Sequence, residues 1–114
     1  MKFNLREGTK TLNIIKEDTE GLTVPELFRI ARRNGNFHVD FHYLIQKDGN
    51  VEEGRESSVV AGYPYDTTRQ AIVILMDACE TSKITDAQKV SLRDLKDSIK
   101  ATYPDIKINH VERR

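Results

Sequence analysis

The chain has 114 residues, enough for one domain with a modest core. Hydrophobic residues make up 38% and charged residues 32%, and eighteen basic side chains balance eighteen acidic ones, which argues against a dedicated nucleic-acid binder and makes DNA an unattractive partner. No apolar run reaches the roughly 18 residues of a membrane span, the N-terminal Met1-Lys-Phe-Asn-Leu-Arg-Glu7 has no signal-peptide core, and a lone Cys79 excludes an internal disulfide, so a reducing, cytoplasmic setting is expected.

In chain order, Thr11-Leu-Asn-Ile-Ile-Lys16 reads as a first strand with Leu12 and Ile14 on one face. An acidic loop from Glu17 to Leu22 follows. Thr23-Val-Pro-Glu26 then opens a helix, with threonine as cap, glutamate three residues on and proline in the first turn. Val24, Leu27, Phe28 and Ala31 fall at helical spacing and predict its buried face. Asn34-Gly-Asn36 ends it, since glycine tolerates the positive φ of a helix terminus.

Phe41 to Gln46 and Val51 to Glu53 flank Lys47-Asp-Gly-Asn50, a hairpin signal because glycine accepts the left-handed dihedrals of the turn. Arg55 to Thr68 is a long irregular loop holding Gly62-Tyr-Pro-Tyr65. Ala71-Ile-Val-Ile-Leu-Met76 is short and continuously apolar, as a central strand covered on both faces should be. A second capping box, Thr85-Asp-Ala-Gln88, opens a helix expected to turn Val90, Leu92, Leu95 and Ile99 inward, and Tyr103-Pro104 stops it. Ile106-Lys-Ile-Asn-His110-Val-Glu112 reads as a last strand running into a His-x-Glu turn. The order β-α-β-β-β-α-β implies an α/β fold, a single domain over residues 1–114 with a mixed sheet flanked by helices.

Several of these pieces, in this order, resemble the zinc-dependent N-acetylmuramoyl-L-alanine amidases, the fold family of short phage lysozymes and peptidoglycan recognition proteins. Phe41-His-Tyr-Leu-Ile45 stands where that family has Tyr-His-Phe-Ile-Ile, and Asp48-Gly-Asn-Val-Glu-Glu-Gly-Arg55 is close to its Asp-Gly-x-Val-x-x-Gly-Arg. Ile84 to Gln88, Tyr103-Pro104 and Ile108-Asn-His110 repeat its last helix and strand. The resemblance implies a zinc held by a histidine ending the first strand, a histidine on the last strand, and a Cys or Asp a short loop later.

Against that pattern the chain departs. Lys16 stands at the end of the first strand, and an ammonium has no lone pair to offer a metal. His110 remains, and the third ligand would lie beyond Arg114. His38 and His42, four apart in extended chain, are separated by roughly 13 Å and cannot share an ion. The family's oxyanion-stabilising tyrosine maps to Phe41, which donates no hydrogen bond. No metal cofactor is therefore expected, and the implied reading is a catalytically inactive, amidase-like binding protein of phage type. The alternative is an N-acetylmuramoyl-L-alanine amidase with a non-standard metal site.

The candidate ligand-binding residues are Lys16, Phe41, Arg55, Tyr63, Tyr65 and His110. Lys16 either receives an anion where the family holds zinc or is a solvated strand end. Arg55 either joins it or clamps a loop through backbone carbonyls. Tyr63 and Tyr65 either stack on a ligand or cover core, and His110 is either a site residue or a strand histidine. Cys79 is expected to be inert. The expected partners are an intracellular protein of a bacterial host cell or a small anionic molecule such as a nucleotide, with a peptidoglycan fragment as a further possibility and no membrane.

Overall fold

Side-chain alternation along the first strand decides which helix covers which face of the sheet. The computed structural model describes residues 4–6, 8–36, 38–62, 65–66, 68–79 and 83–112. The elements are β1 (Thr11–Glu17), α1 (Val24–Arg33), β2 (Tyr43–Ile45), β3 (Val51–Glu53), β4 (Ala71–Asp77), α2 (Asp86–Thr102) and β5 (Lys107–Glu112), in the expected order. They form one mixed sheet, ordered β3-β2-β4-β1-β5. β4 pairs in parallel with β1 and β2, β5 pairs in parallel with β1, and β2–β3 is the antiparallel hairpin.

All seven residues of β4 are buried, as its unbroken apolar run requires. Leu12 and Ile14 turn to one side, where Ile74, Met76, Leu92, Ile99 and Ile106 close a core under α2. Ile15 turns to the other, meeting Val73, Leu75, Leu44 and Phe41 under α1. Both capping boxes form: the Thr23 hydroxyl accepts from the Glu26 N–H and the Thr85 hydroxyl from the Gln88 N–H, with each N3 side chain returning to its cap. Gly35, at φ +83°, supplies the turn that ends α1.

Two expectations are corrected. Val90 is 48% exposed, while Gln88 is fully buried and donates to the Ile45 and Asp77 carbonyls. The inward row is therefore 88, 92, 95 and 99, and two residues on from Gln88 carry Val90 about 200° round the helix, to the solvent side. The second correction concerns the last strand, which continues without a turn through His110 to Glu112, held by its register with β1.

Candidate functional site

Helix α1 is fastened to the sheet at one end and stands away from it at the other. Its first turn is held by Thr23 and by Glu52 of β3, whose Oε1 accepts from the Val24 N–H at 3.0 Å. Val24 is its one buried residue, Leu27 and Phe28 are half-buried, and Ile30 is 40% exposed. Beneath its C-terminal half lies a cleft of about 460 Å³. The end of β1 (Glu17, Asp18, Thr19), the stretch Val39 to Phe41, and Tyr65 complete the walls, with Leu75 of β4 as floor.

The turn after β1 owes its shape to a buried carboxylate. Asp77, 1% exposed, accepts from the Thr19 N–H through Oδ1 (3.0 Å) and from the Gly21 N–H through Oδ2 (3.2 Å). This lets the chain reverse through Glu20 at φ 56° and Gly21 at φ 74°, and it holds Asp18 and Thr19 at the cleft mouth. On the same face, the Tyr65 hydroxyl donates to Glu17 Oε2, joining the long loop to the end of β1. Asn13 Nδ2 donates to the Tyr65 carbonyl (2.9 Å), and Asn109 Nδ2 donates to Asn13 Oδ1 (3.2 Å).

The sequence-derived residues divide. Phe41 and Tyr65 line the cleft. Arg55 is a loop clamp: Nε donates to the Val39 carbonyl (2.8 Å), one terminal nitrogen to the Val60 carbonyl (2.9 Å) and the other to Asp40 Oδ1 (3.1 Å). Burial works against its charge, and Asp40 offsets part of that effect. Lys16 and His110 are not brought to the cleft. Lys16 shares the side of Leu12 and Ile14, and His110 pairs in register with Ile14, so both belong to the α2 side of the sheet. Tyr63 lies outside the described residues.

Glu17, Asp18 and Thr19 went unrecognised because the strand was expected to end at Lys16. The signal was available: if Ile15 faces α1, then so does Glu17, one residue beyond Lys16. The two neighbouring histidines separate as their extended spacing required. His38 lines the cleft, edge-on to Phe28 at 4.9 Å between ring centroids. His42 is fully buried, with Nε2 2.7 Å from the Val59 carbonyl and Nδ1 accepting from the Val73 N–H at 2.9 Å. Only the tautomer protonated on Nε2 makes both bonds. Burial is the largest influence on it and lowers its pKa from 6.5 to about 4.

The donor set does not fit a zinc centre. A catalytic zinc needs three protein ligands and an open position. Among the described residues, no three His, Cys, Asp or Glu side chains gather closely enough to hold a metal ion. The cleft-facing residue at the end of β1 is Glu17, which accepts from Tyr65, and Phe41 brings no hydroxyl to the wall.

Comparison with known proteins places this architecture. The chain is similar to the endolysin of Escherichia phage T7, 26% identical over 112 residues that cover 90% of this chain and 74% of that one. Its structure superposes on the N-acetylmuramoyl-L-alanine amidase LysC from Clostridium intestinale with a TM-score of 0.78 at 16% identity, covering 96% of this chain and 78% of that one. It also superposes on a chain from the complex of tracheal cytotoxin with the peptidoglycan recognition proteins LCa and LCx, with a TM-score of 0.75 at 17% identity over 98% of this chain and 74% of the other. No family model matches the chain. The fold is that of the amidases and peptidoglycan recognition proteins, as the sequence resemblance implied.

Proposed function

We propose that this chain, with its amidase and recognition-protein fold, binds a stem-peptide fragment of peptidoglycan in the cleft beneath α1 and does not hydrolyse it by a zinc mechanism. One observation carries the reading. The cleft-facing position at the end of β1 is Glu17, tied to the Tyr65 hydroxyl, and no metal-ligand cluster lies beside it among the described residues. A cleft of this size suits a small peptide: it offers aliphatic wall from Leu27, Ile30 and Leu75, with polar groups at one end. The recognition-protein complex with tracheal cytotoxin supports the ligand class by fold likeness.

A nucleotide or other small anion suits this cleft less well, because Glu17, Asp18 and Asp40 line it and no Lys or Arg does so among the described residues. An intracellular protein partner would have to use another surface or present a peptide to the same cleft. The test combines calorimetric titration with soluble muropeptides, metal analysis of protein purified without chelator, and assay of peptide release from purified cell wall. Saturable binding with neither zinc nor release is expected. Stoichiometric zinc accompanied by release would restore the amidase reading, and absence of muropeptide binding would end this one.

A further inference from the structure

The two edges of the sheet are unlike: one is short and tied down, the other long and bare. We infer that the outer edge of β5 is a self-association surface, on which β5 of a second copy lies antiparallel about a dyad at Asn109 and joins the two five-stranded sheets edge to edge.

At one edge, β3 is three residues long, and its Glu52 is bonded to the first turn of α1. A short edge resists further pairing. At the other edge, β5 runs six residues without proline or glycine and in unbroken register with β1. Among the described residues no strand lies on its outer side. One bond fixes which backbone groups face outward. The Lys107 N–H donates to the Lys10 carbonyl at 3.0 Å, so in a parallel ladder the groups of Lys107, Asn109 and Val111 serve β1. Those of Ile108, His110 and Glu112 alternate with them and point to the open edge. Such a row is a template for an added strand.

The side chains select a copy of the same strand. A dyad perpendicular to the sheet keeps like faces together, so each residue meets one of the same parity. Centred on Asn109, the pairing sets Lys107 against Val111 of the second copy, Ile108 against His110, and Asn109 against itself. No like charges then face each other, and the zero formal net charge adds no long-range repulsion. The Lys107 stem would cover Val111, which is 40% exposed. Asn109 is already oriented for its part. Asn13 Nδ2 donates to the Tyr65 carbonyl (2.9 Å), which leaves Asn13 Oδ1 to accept from Asn109 Nδ2 (3.2 Å). The amide of Asn109 keeps one N–H and its oxygen, the set that two facing amides exchange. With its backbone groups turned to β1, Asn109 takes a non-hydrogen-bonded place in the new pair, where Cα atoms approach to about 4.5 Å and side chains meet. The same dyad would open both α1 clefts on one side of the dimer.

Sedimentation equilibrium of the native chain tests the association. A dimer is expected at about 1 mM that dissociates on dilution to about 10 µM, as a small edge contact should. His110→Pro removes an outward N–H and none that serves β1, so it should weaken association about tenfold or more while the far-UV circular dichroism holds. Register is read by crosslinking in a Cys79→Ser background. Asn109→Cys should oxidise to a disulfide-linked dimer, because the dyad brings its two copies within bridging distance. Lys107→Cys, about 13 Å from its own copy in this register, should not. A native chain that stays monomeric at about 1 mM overturns the inference, as does association undiminished in His110→Pro. Linkage of Asn109→Cys no faster than that of Lys107→Cys overturns it equally.

Discussion

The two faces of the sheet are covered by helices with the same kind of start, yet one face is sealed and the other is open. Helix α2 runs 17 residues from its Thr85 capping box and is anchored by the buried Gln88 amide and by Ser91, whose hydroxyl donates to the Gly49 carbonyl in the hairpin. Its Leu92 and Ile99 reach the core. Helix α1 runs 10 residues, buries Val24 alone, and makes its bond to the sheet in its first turn. A capping box therefore fixes where a helix begins and not how far it lies down on its neighbour. The rest is decided by how many residues of the inward row reach the core, and the shortfall on α1 is the cleft.

The sharpest way to break this comparison is to truncate one side chain on each face. Ile74→Ala, in the core beneath α2, should cost about 2–5 kcal/mol in urea unfolding, because the closed packing leaves little room to collapse around the void. Leu27→Ala, half-buried at the cleft, should cost less than half as much, since part of its surface already faces solvent. Equal losses would mean that the two faces are equally packed. A slightly smaller effect is expected from pH. His42 has a folded pKa of about 4 against 6.5 when unfolded, so the unfolded chain takes up a proton in that interval and the native chain does not. Stability should be complete above pH 6.5 and should fall by roughly 3 kcal/mol as pH drops towards 4. Urea midpoints across that range check it. His42→Gln should flatten this part of the profile while lowering stability throughout, because the bridge between Val59 and Val73 is lost.

Much of the fold was legible in the sequence because its signals are local. The capping boxes, the Asp48-Gly49 turn and the apolar run of β4 each fix a short stretch of backbone, and all formed where expected. The site was less legible because it depends on parity. Ending β1 at Lys16 drew attention to a residue on the α2 side, while Glu17, the next residue, entered the cleft. His110 lies on that same α2 side, being tied by register to Ile14. At Val90 apolar character and angular position disagree, and angular position decides: the inward place belongs to Gln88, which bonds two carbonyls. Asp77 gave no signal of its role, since its partners are backbone N–H groups 56 and 58 residues away.

Asp77 makes the next test of the open face. Asp77→Ala removes the acceptor for the Thr19 and Gly21 amides and should destabilise the chain by about 1–3 kcal/mol. The effect should be localised. Hydrogen exchange should quicken at Thr19 and Gly21 beyond what the global loss predicts, and muropeptide binding should weaken because Asp18 and Thr19 are no longer held at the cleft mouth. Uniform acceleration across the sheet would make Asp77 an ordinary core residue rather than the support of the cleft wall.

The smallest effects should come from the two caps. Removing either cap hydroxyl by Thr→Ala costs about 1 kcal/mol where the helix end depends on it. At Thr85 the hydroxyl also donates to the Lys47 carbonyl at 2.6 Å, joining α2 to the hairpin, and Gln88 holds the same turn from inside. At Thr23 the turn is shared with Glu52, which remains when the hydroxyl is gone. The stability losses of Thr23→Ala and Thr85→Ala should therefore be similar, with their consequences diverging at the cleft. Thr23→Ala loosens the first turn, where the Val24 N–H of α1 is bonded to Glu52 of the sheet, so the helix should shift and muropeptide affinity should fall. Thr85→Ala, on the sealed face, should leave that affinity within about twofold. If both caps altered binding alike, the openness of the α1 face would have to arise from something other than the way its helix is attached.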